Sequence, residues 1–344
     1  MILHYDSLNQ PLTKDEIRNY RLKYPTGNFY LVILVFSMAF FIMFASIVLL
    51  IAVGTFLLGT QSFQSVVSGA IALTIAMIIY LPAYLLYRAF KKYQYRGAKL
   101  YRFAGLNGLI YTREIINPSF KGTLLSDTTT GTINDQVKNQ SGTLFEFGNY
   151  EFTIGSGKGA RSYSRGYISV SLDRELPNMV LDSRDNNIKI FGANISNLTT
   201  ALRRDQVLRL EGDFNTHFTL YAPKEYERDA LYIFTPDLMA LFIDEASSFD
   251  AEIFGNTLYM YAGKSLKLED TVVIERIARI IETVGTKLEN QTSGYRDSRV
   301  GNKQSDVISA KGRRLRTRLS LWIFVGIGTW LIGWICLFIY WGIF

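Results

Sequence analysis

The stretch Thr153 to Arg161, TIGSGKGAR, sets alternating glycines around Lys158, the composition of a loop that cradles phosphate with backbone N–H groups. A mononucleotide loop needs a glycine five residues before Gly157 and a hydroxyl directly after the lysine. Phe152 and Gly159 stand at those positions, so no side chain is left to hold magnesium. A dinucleotide fingerprint fails too. Ala160 replaces its third glycine, and the following SYSRGYISVSL alternates like a strand where a helix is required. The stretch reads as a glycine-rich hairpin tip. Its Lys158, Arg161 and Arg165 are candidates for contact with an anion or a headgroup.

Carboxylates gather once, with Glu211 and Asp213 followed by Glu225, Glu227 and Asp229 in KEYERD. In an extended chain the last three share a face. Oxygens so placed suit a hard cation or carboxylate-based hydrolysis, although Lys224 and Arg228 beside them also fit an exposed strand face. His217 and Asp213 make two members of a triad, but no G-x-S-x-G elbow supplies the nucleophile. The histidines are His4 and His217 and the single cysteine is Cys336, so no His/Cys zinc site can be assembled. The weak catalytic candidates are therefore Glu225, Glu227, Asp229 and His217. No cofactor and no metal are expected.

These residues sit in a chain of 344 residues that is 48% hydrophobic and 19% charged. The apolar excess is concentrated in three stretches, at 29–58, 66–88 and 319–344, uncharged except for Arg88 at the end of the second. Each is long enough for the roughly 20 helical residues that cross a bilayer core. Arg88, Lys91, Lys92, Arg96, Lys99 and Arg102 follow the second, and Lys311, Arg313, Arg314, Arg316 and Arg318 precede the third. The positive-inside rule then places residues 1–28 and the middle of the chain in the cytosol and the C terminus outside. The two flanks hold more positive charge than the formal net charge of +7, so the remainder is acidic on balance. That argues against nucleic acid as a partner and for the lipid bilayer. Small residues in the stretches, such as Gly69, Ala72, Gly326 and Gly333, suit helix packing within the chain or in a homo-oligomer.

The middle, 97–289, reads as an α+β domain with mainly antiparallel strands. Strands are expected at Leu144–Ile154, Gly166–Leu172, Val207–Leu210 and His217–Tyr221, with a hairpin around Gly255-Asn256. Helices are expected after Thr235, with Pro236 in the first turn, and over Glu269–Glu289. Ser119–Thr143 reads as a long polar loop, and 290–318 as a polar, then basic, linker. The fold class expected is thus an α+β domain anchored by three transmembrane helices.

The phrases LPNMVLDS (Leu176–Ser183), LEGDF (Leu210–Phe214), FTLYAP (Phe218–Pro223), YERDALYIFTPDLMALFIDE (Tyr226–Glu245) and FDAEIFGNTLYMY (Phe249–Tyr261) resemble a family of uncharacterised bacterial membrane proteins. Members have two N-terminal spans and a cytosolic domain of unknown function. The family pattern has histidine where Asn178 stands. The resemblance implies location and carries over no catalytic residue. The function expected is a membrane-anchored scaffold that binds a protein partner. The rivals are a membrane-surface hydrolase and a sensor of anionic lipid.

Overall fold

The aromatic run Phe145–Ile154 (β3) and the long run Arg161–Ser183 (β4) pair as a hairpin, in register from Phe145↔Val170 to Ile154↔Arg161. The turn between them uses Gly155 at φ 82° and Gly157 at φ 59°, left-handed positions that glycine occupies without a Cβ penalty. In the computed structural model, which describes residues 3–25, 35–48, 63–120, 122–125, 128–190, 193–301 and 307–317, the chain divides into two units. One is Asp6–Phe103, and the other joins Met1–Tyr5 to Ala104–Phe344.

The larger unit is built on a seven-stranded antiparallel sheet. Ile110–Ile116 (β1) and Thr128–Lys138 (β2) extend it beyond β3. On the other side, Phe218–Tyr221 (β8) pairs the end of β4, and Val207–Leu208 (β7) pairs β8. Phe249–Ala262 (β9) runs along β4 from Tyr167↔Tyr261 to Leu181↔Ala251. A small separate ribbon pairs Ile188–Ile190 (β5) with Ala193–Ile195 (β6). Helices Pro236–Ala246 and Thr271–Ile280 bury one apolar stripe each. A π turn, Ile281–Gly285, continues the second into Thr286–Thr292, and Gly285 comes close enough to β4 that a Cβ would stand 3.3 Å from Val170.

Two expectations about strands change here. The polar stretch 119–143 contains β2: its start, Thr128 to Gly131, pairs with β3, and from Thr132 and Ile133 onward it finds partners on both β1 and β3. The hairpin expected at Gly255-Asn256 is one continuous strand. Gly255, at φ 59°, pairs Leu176 at a register shift in β4, so the glycine bends a strand at a bulge. Pro177 falls in the same irregular stretch, where its missing N–H costs no ladder bond.

The anchored fold class is also corrected. Among the described residues no helix is long and apolar enough to cross a membrane. Of 29–58, residues 35–48 are helical; the rest of that stretch and all of 319–344 lie outside the described residues. The stretch 66–88 is no element of its own. It is the front of a helix of 44 residues, Phe63–Leu106, that runs unbroken through the basic flank. That flank has structural partners. Arg102 binds the Glu16 carboxylate at 3.2 Å and the backbone oxygens of Ser7, Gln10 and Pro11, and Lys99 binds Leu8 O at 2.7 Å. Glu16 closes a capping box with Thr13 on the helix Lys14–Lys23. The multi-pass placement in a cytoplasmic membrane, with the domain cytosolic and the C terminus outside, rested on the three spans and falls with them.

The basic stretch before residue 319 is part of the larger unit. Tyr295, Ile308 and Leu315 are buried, and Leu315 joins the core cluster with Leu124, Tyr150, Phe152, Tyr167 and Tyr261. Burying side chains of this size stabilises by about 1.5–3 kcal/mol each, enough to hold a strap of otherwise polar residues down. The strap also needs glycine at one point. A Cβ on Gly312 would lie 2.5 Å from Tyr226 Cζ and 2.6 Å from Ile308 Cγ2. Gly312→Ala should therefore lower stability by about 1–3 kcal/mol, measured by urea unfolding; Gly301→Ala, with open space around it, is the neutral control.

Candidate functional site

Pro223 fixes the entry to a short 3-10 turn, Lys224–Tyr226, that passes straight into the helix Glu227–Ile233. Glu225, Glu227 and Asp229 are consequently helical, and the shared face of an extended strand does not form. Each goes elsewhere. Glu227 is exposed. Asp229 accepts from Tyr295 Oη at 2.7 Å and pairs with Arg299 at 2.8 Å. Arg299 spans further, to Asp297 at 3.1 Å, and its guanidinium lies 4.0 Å from the centre of the Tyr226 ring. Tyr226 Oη donates to Asp297 at 2.5 Å, and Ser309 N donates to the same oxygen at 2.9 Å. Burial acts on Asp297 to raise its pKa, but the Ser309, Tyr226 and Arg299 bonds win and hold it below the usual carboxylate range. Burial and the bond to Asp297 together push Tyr226 up to about 12. This constellation fastens the strap to the helix.

Glu225 faces a different space. A cleft of about 360 Å³ is lined by Asp205, Gln206, Pro223, Lys224, Glu225, Ala310, Lys311, Arg314 and Arg316. Its far wall is the extended end of the strap. The Gln206 side chain reads the Arg316 backbone in both directions, each bond at 2.8 Å, and Leu202 bridges Thr317. Leu315 points into the core, so the neighbouring Arg314 and Arg316 are both exposed on the opposite face. Four basic side chains thus meet two acidic ones. Asp205 is held below its ordinary range chiefly by its bond from Arg203, and Glu225 chiefly by its own backbone N–H, with Lys311 and Arg316 adding to the effect.

The hairpin-tip cations separate. Lys158 and Arg161 are exposed. Arg165 is buried, pairs with Asp250 at 3.3 Å and donates to Asn197 O. It is therefore held away from the other two. His217 ends the single turn Phe214–His217, where its backbone oxygen accepts from Arg184 N at 2.8 Å, and Asp213 stands at the opposite end of that turn.

The polar groups that sequence reading missed lie at the sheet centre. Glu252 is fully buried and accepts from Thr123 N at 2.6 Å, Leu124 N at 3.2 Å and Asn178 Nδ2 at 2.9 Å. Asn178 Oδ1 accepts from Thr123 Oγ1 at 2.6 Å and Leu315 N at 2.9 Å. Burial raises the pKa of Glu252 and of Asp182, and pushes Asp250 up to about 7 against the pull of Arg165. Strand alternation in FDAEIF sets Asp250 and Glu252 on the face opposite Phe249, Ala251 and Ile253, the pattern of a solvent face, so no local signal marked them as buried. Among the described residues no group of three or more His, Cys, Asp or Glu side chains is placed to hold a metal ion.

No family model matches the chain, and no curated protein sequence matches it. The resemblance to bacterial membrane proteins with two N-terminal spans is corrected on both counts, since no family model matches and no helix among the described residues is long and apolar enough to cross a membrane. Among solved structures, the crystal structure of the mycobacterial trehalose monomycolate transport factor A, TtfA, is similar at a TM-score of 0.34 and 11% identity, over 55% of this chain and 94% of that one. A likeness at that level carries no argument.

Proposed function

We propose that the larger unit is a non-enzymatic binding module that captures an acidic protein segment in the cleft between the Lys224 turn and the strap. The observation that carries this reading is the cleft wall itself. Lys224, Lys311, Arg314 and Arg316 converge on it, two of them displayed side by side by the burial of Leu315 between them. Asp205 and Glu225 interrupt the basic set. That spacing suits a ligand whose negative charges are spread along a chain better than a compact phosphate. The weak catalytic candidates do not support an enzyme reading. Asp229 is committed to Arg299 and Tyr295, and Glu225, Glu227 and His217 occupy separate elements or faces.

Fluorescence anisotropy with a labelled Glu/Asp-rich peptide tests the proposal. The full chain should bind it, with affinity falling as salt rises toward and beyond physiological strength. The double substitution Arg314→Glu/Arg316→Glu should weaken binding at least about tenfold, since like charges facing a ligand cost more than lost contacts. Both side chains are exposed, so the melting temperature should not move. Binding that is equal for a neutral peptide, or unaltered in the double variant, sinks the reading.

A further inference from the structure

Arg102 ties the helix Lys14–Lys23 to the helix Phe63–Leu106. About two turns back along the second helix, a pocket of about 410 Å³ opens between them, a volume in the range of small-molecule sites. Ile17 and Arg21 line it from the first helix, and Lys91, Lys92, Gln94 and Tyr95 from the second; its inner surface is mainly apolar. Two bonds fix the walls. Arg21 Nε donates to Gln94 Oε1 at 2.9 Å, and Leu12 N donates to Tyr95 Oη at 3.3 Å. Arg21, Lys91 and Lys92 are exposed at the rim. No acid lines the pocket, and among the described residues none of the three cations pairs with a carboxylate. The Glu16 carboxylate is taken by Arg102 and Thr13. Lys91 lies 5.3 Å from the centre of the Tyr87 ring. The positive charge therefore stands unanswered over an apolar floor.

A second feature leads to the same place. Met77, Leu81, Tyr84 and Arg88 precede Lys92 and Tyr95 at intervals of three or four residues, so they share one face of the continuous helix. Met77, Leu81 and Tyr84 are 69%, 52% and 43% exposed. At 1.5 Å per residue, Leu81 lies about 15 Å along the axis from Lys91. Single exposed apolar side chains are ordinary, but a stripe of them running to a cationic pocket is the surface of a ligand groove.

We propose that this pocket takes the head of a single-chain anionic amphiphile, of the long-chain carboxylate type, with its alkyl chain laid along the stripe towards Leu81 and Met77. A compact anion would leave the apolar floor and the stripe unused, and an uncharged lipid would leave the cations unanswered. The lysine stems offer methylene surface to the chain while their ammonium ends meet the head. All of these residues belong to the smaller unit, so the site does not depend on the cleft proposed for the larger one.

The test is isothermal titration of the full chain with monomeric decanoate, dodecanoate and tetradecanoate, with dodecanol as the uncharged control and phosphatidylglycerol vesicles as the bilayer arm. Each added CH₂ should tighten Kd by about two- to fourfold. The double substitution Lys91→Glu/Lys92→Glu should weaken dodecanoate at least about tenfold at an unchanged melting temperature. Arg21→Gln, on the other helix, should weaken it about threefold or more and serves where the double variant does not fold. Leu81→Gln should shrink the gain from dodecanoate to tetradecanoate. Dodecanol binding as tightly as dodecanoate, no gain with chain length, or a double variant that binds like the parent overturns the proposal. Vesicle binding without uptake of monomeric dodecanoate overturns it as well and gives the basic face to a bilayer surface.

Discussion

Replacing Glu252 with alanine should destabilise the larger unit by about 3–5 kcal/mol, the cost of removing one side of a buried polar pairing. The reason is what remains behind. Thr123 N, Leu124 N and the Asn178 amide all donate to this carboxylate; the two backbone donors would be left without an acceptor at about 1–3 kcal/mol apiece, while Asn178 Nδ2 would lose one of two bonds and keep the one to Ile253 O at 3.0 Å. The site cannot collapse easily, because the chain already approaches closely; a Cβ on Gly122 would meet Glu252 Oε2 at 2.8 Å. Glu252→Gln is the graded control. Its remaining oxygen keeps the Thr123 and Asn178 bonds and loses the one from Leu124, so the loss should be about half. Urea unfolding gives both numbers, and an alanine variant within about 1 kcal/mol of the parent would refute the account.

The second large effect is an inverted pH profile. Most proteins lose stability in acid because paired carboxylates have depressed pKa values in the folded state. Asp250 is the reverse. Burial raises it from 3.8 to about 7, with Arg165 opposing and Asp182 adding to the rise. Between these two values the folded state binds a proton that the unfolded state does not. Stability is therefore full below about pH 4 and falls as pH climbs through the folded value, by up to about 4 kcal/mol. Asp182 and Glu252, also raised by burial, act in the same direction. Asp297, held low, acts oppositely and loses its contribution as pH falls below the carboxylate range. The unit should be most stable near pH 5 and weaker at pH 8. Asp250→Asn should flatten the decline between pH 5 and 8 in a series of thermal melts, and a parent protein more stable at pH 8 than at pH 5 would contradict the assignment.

The parts of this fold that could be read from sequence are those governed by local chemistry. Pro236 begins the helix Pro236–Ala246 as expected, although Thr235 makes no capping bond and its hydroxyl is buried without a partner. Asp270 caps Thr271–Ile280 through Val272 N at 3.0 Å. The glycine tip after Ile154 turns a hairpin because left-handed φ is a local demand. What escaped were features decided by distant neighbours. β2 is polar and declares itself only through β1 and β3. KEYERD alternates like a strand, but Pro223 commits it to a turn and helix. The strap reads as a linker because its few apolar residues, Tyr295, Ile308 and Leu315, have no period. Nothing local marks Asn178 and Glu252 as buried partners. Their reason for existing is each other, 74 residues apart.

Asn178 also sets a timetable. Its side chain joins Thr123 on one side to Leu315 on the other, and the second bond reaches 137 residues forward in the chain. As the protein is made from its N terminus, the middle of β4 leaves the ribosome long before the segment that completes its polar contacts. The sheet can collapse early, but its centre keeps the Asn178 N–H without its Gly312 acceptor and an uncovered core patch until Leu315 arrives. Contacts closed over such sequence distances slow folding, and the interval is when exposed strand surface is most open to misassembly. A chain ending before Gly312 would never leave that interval.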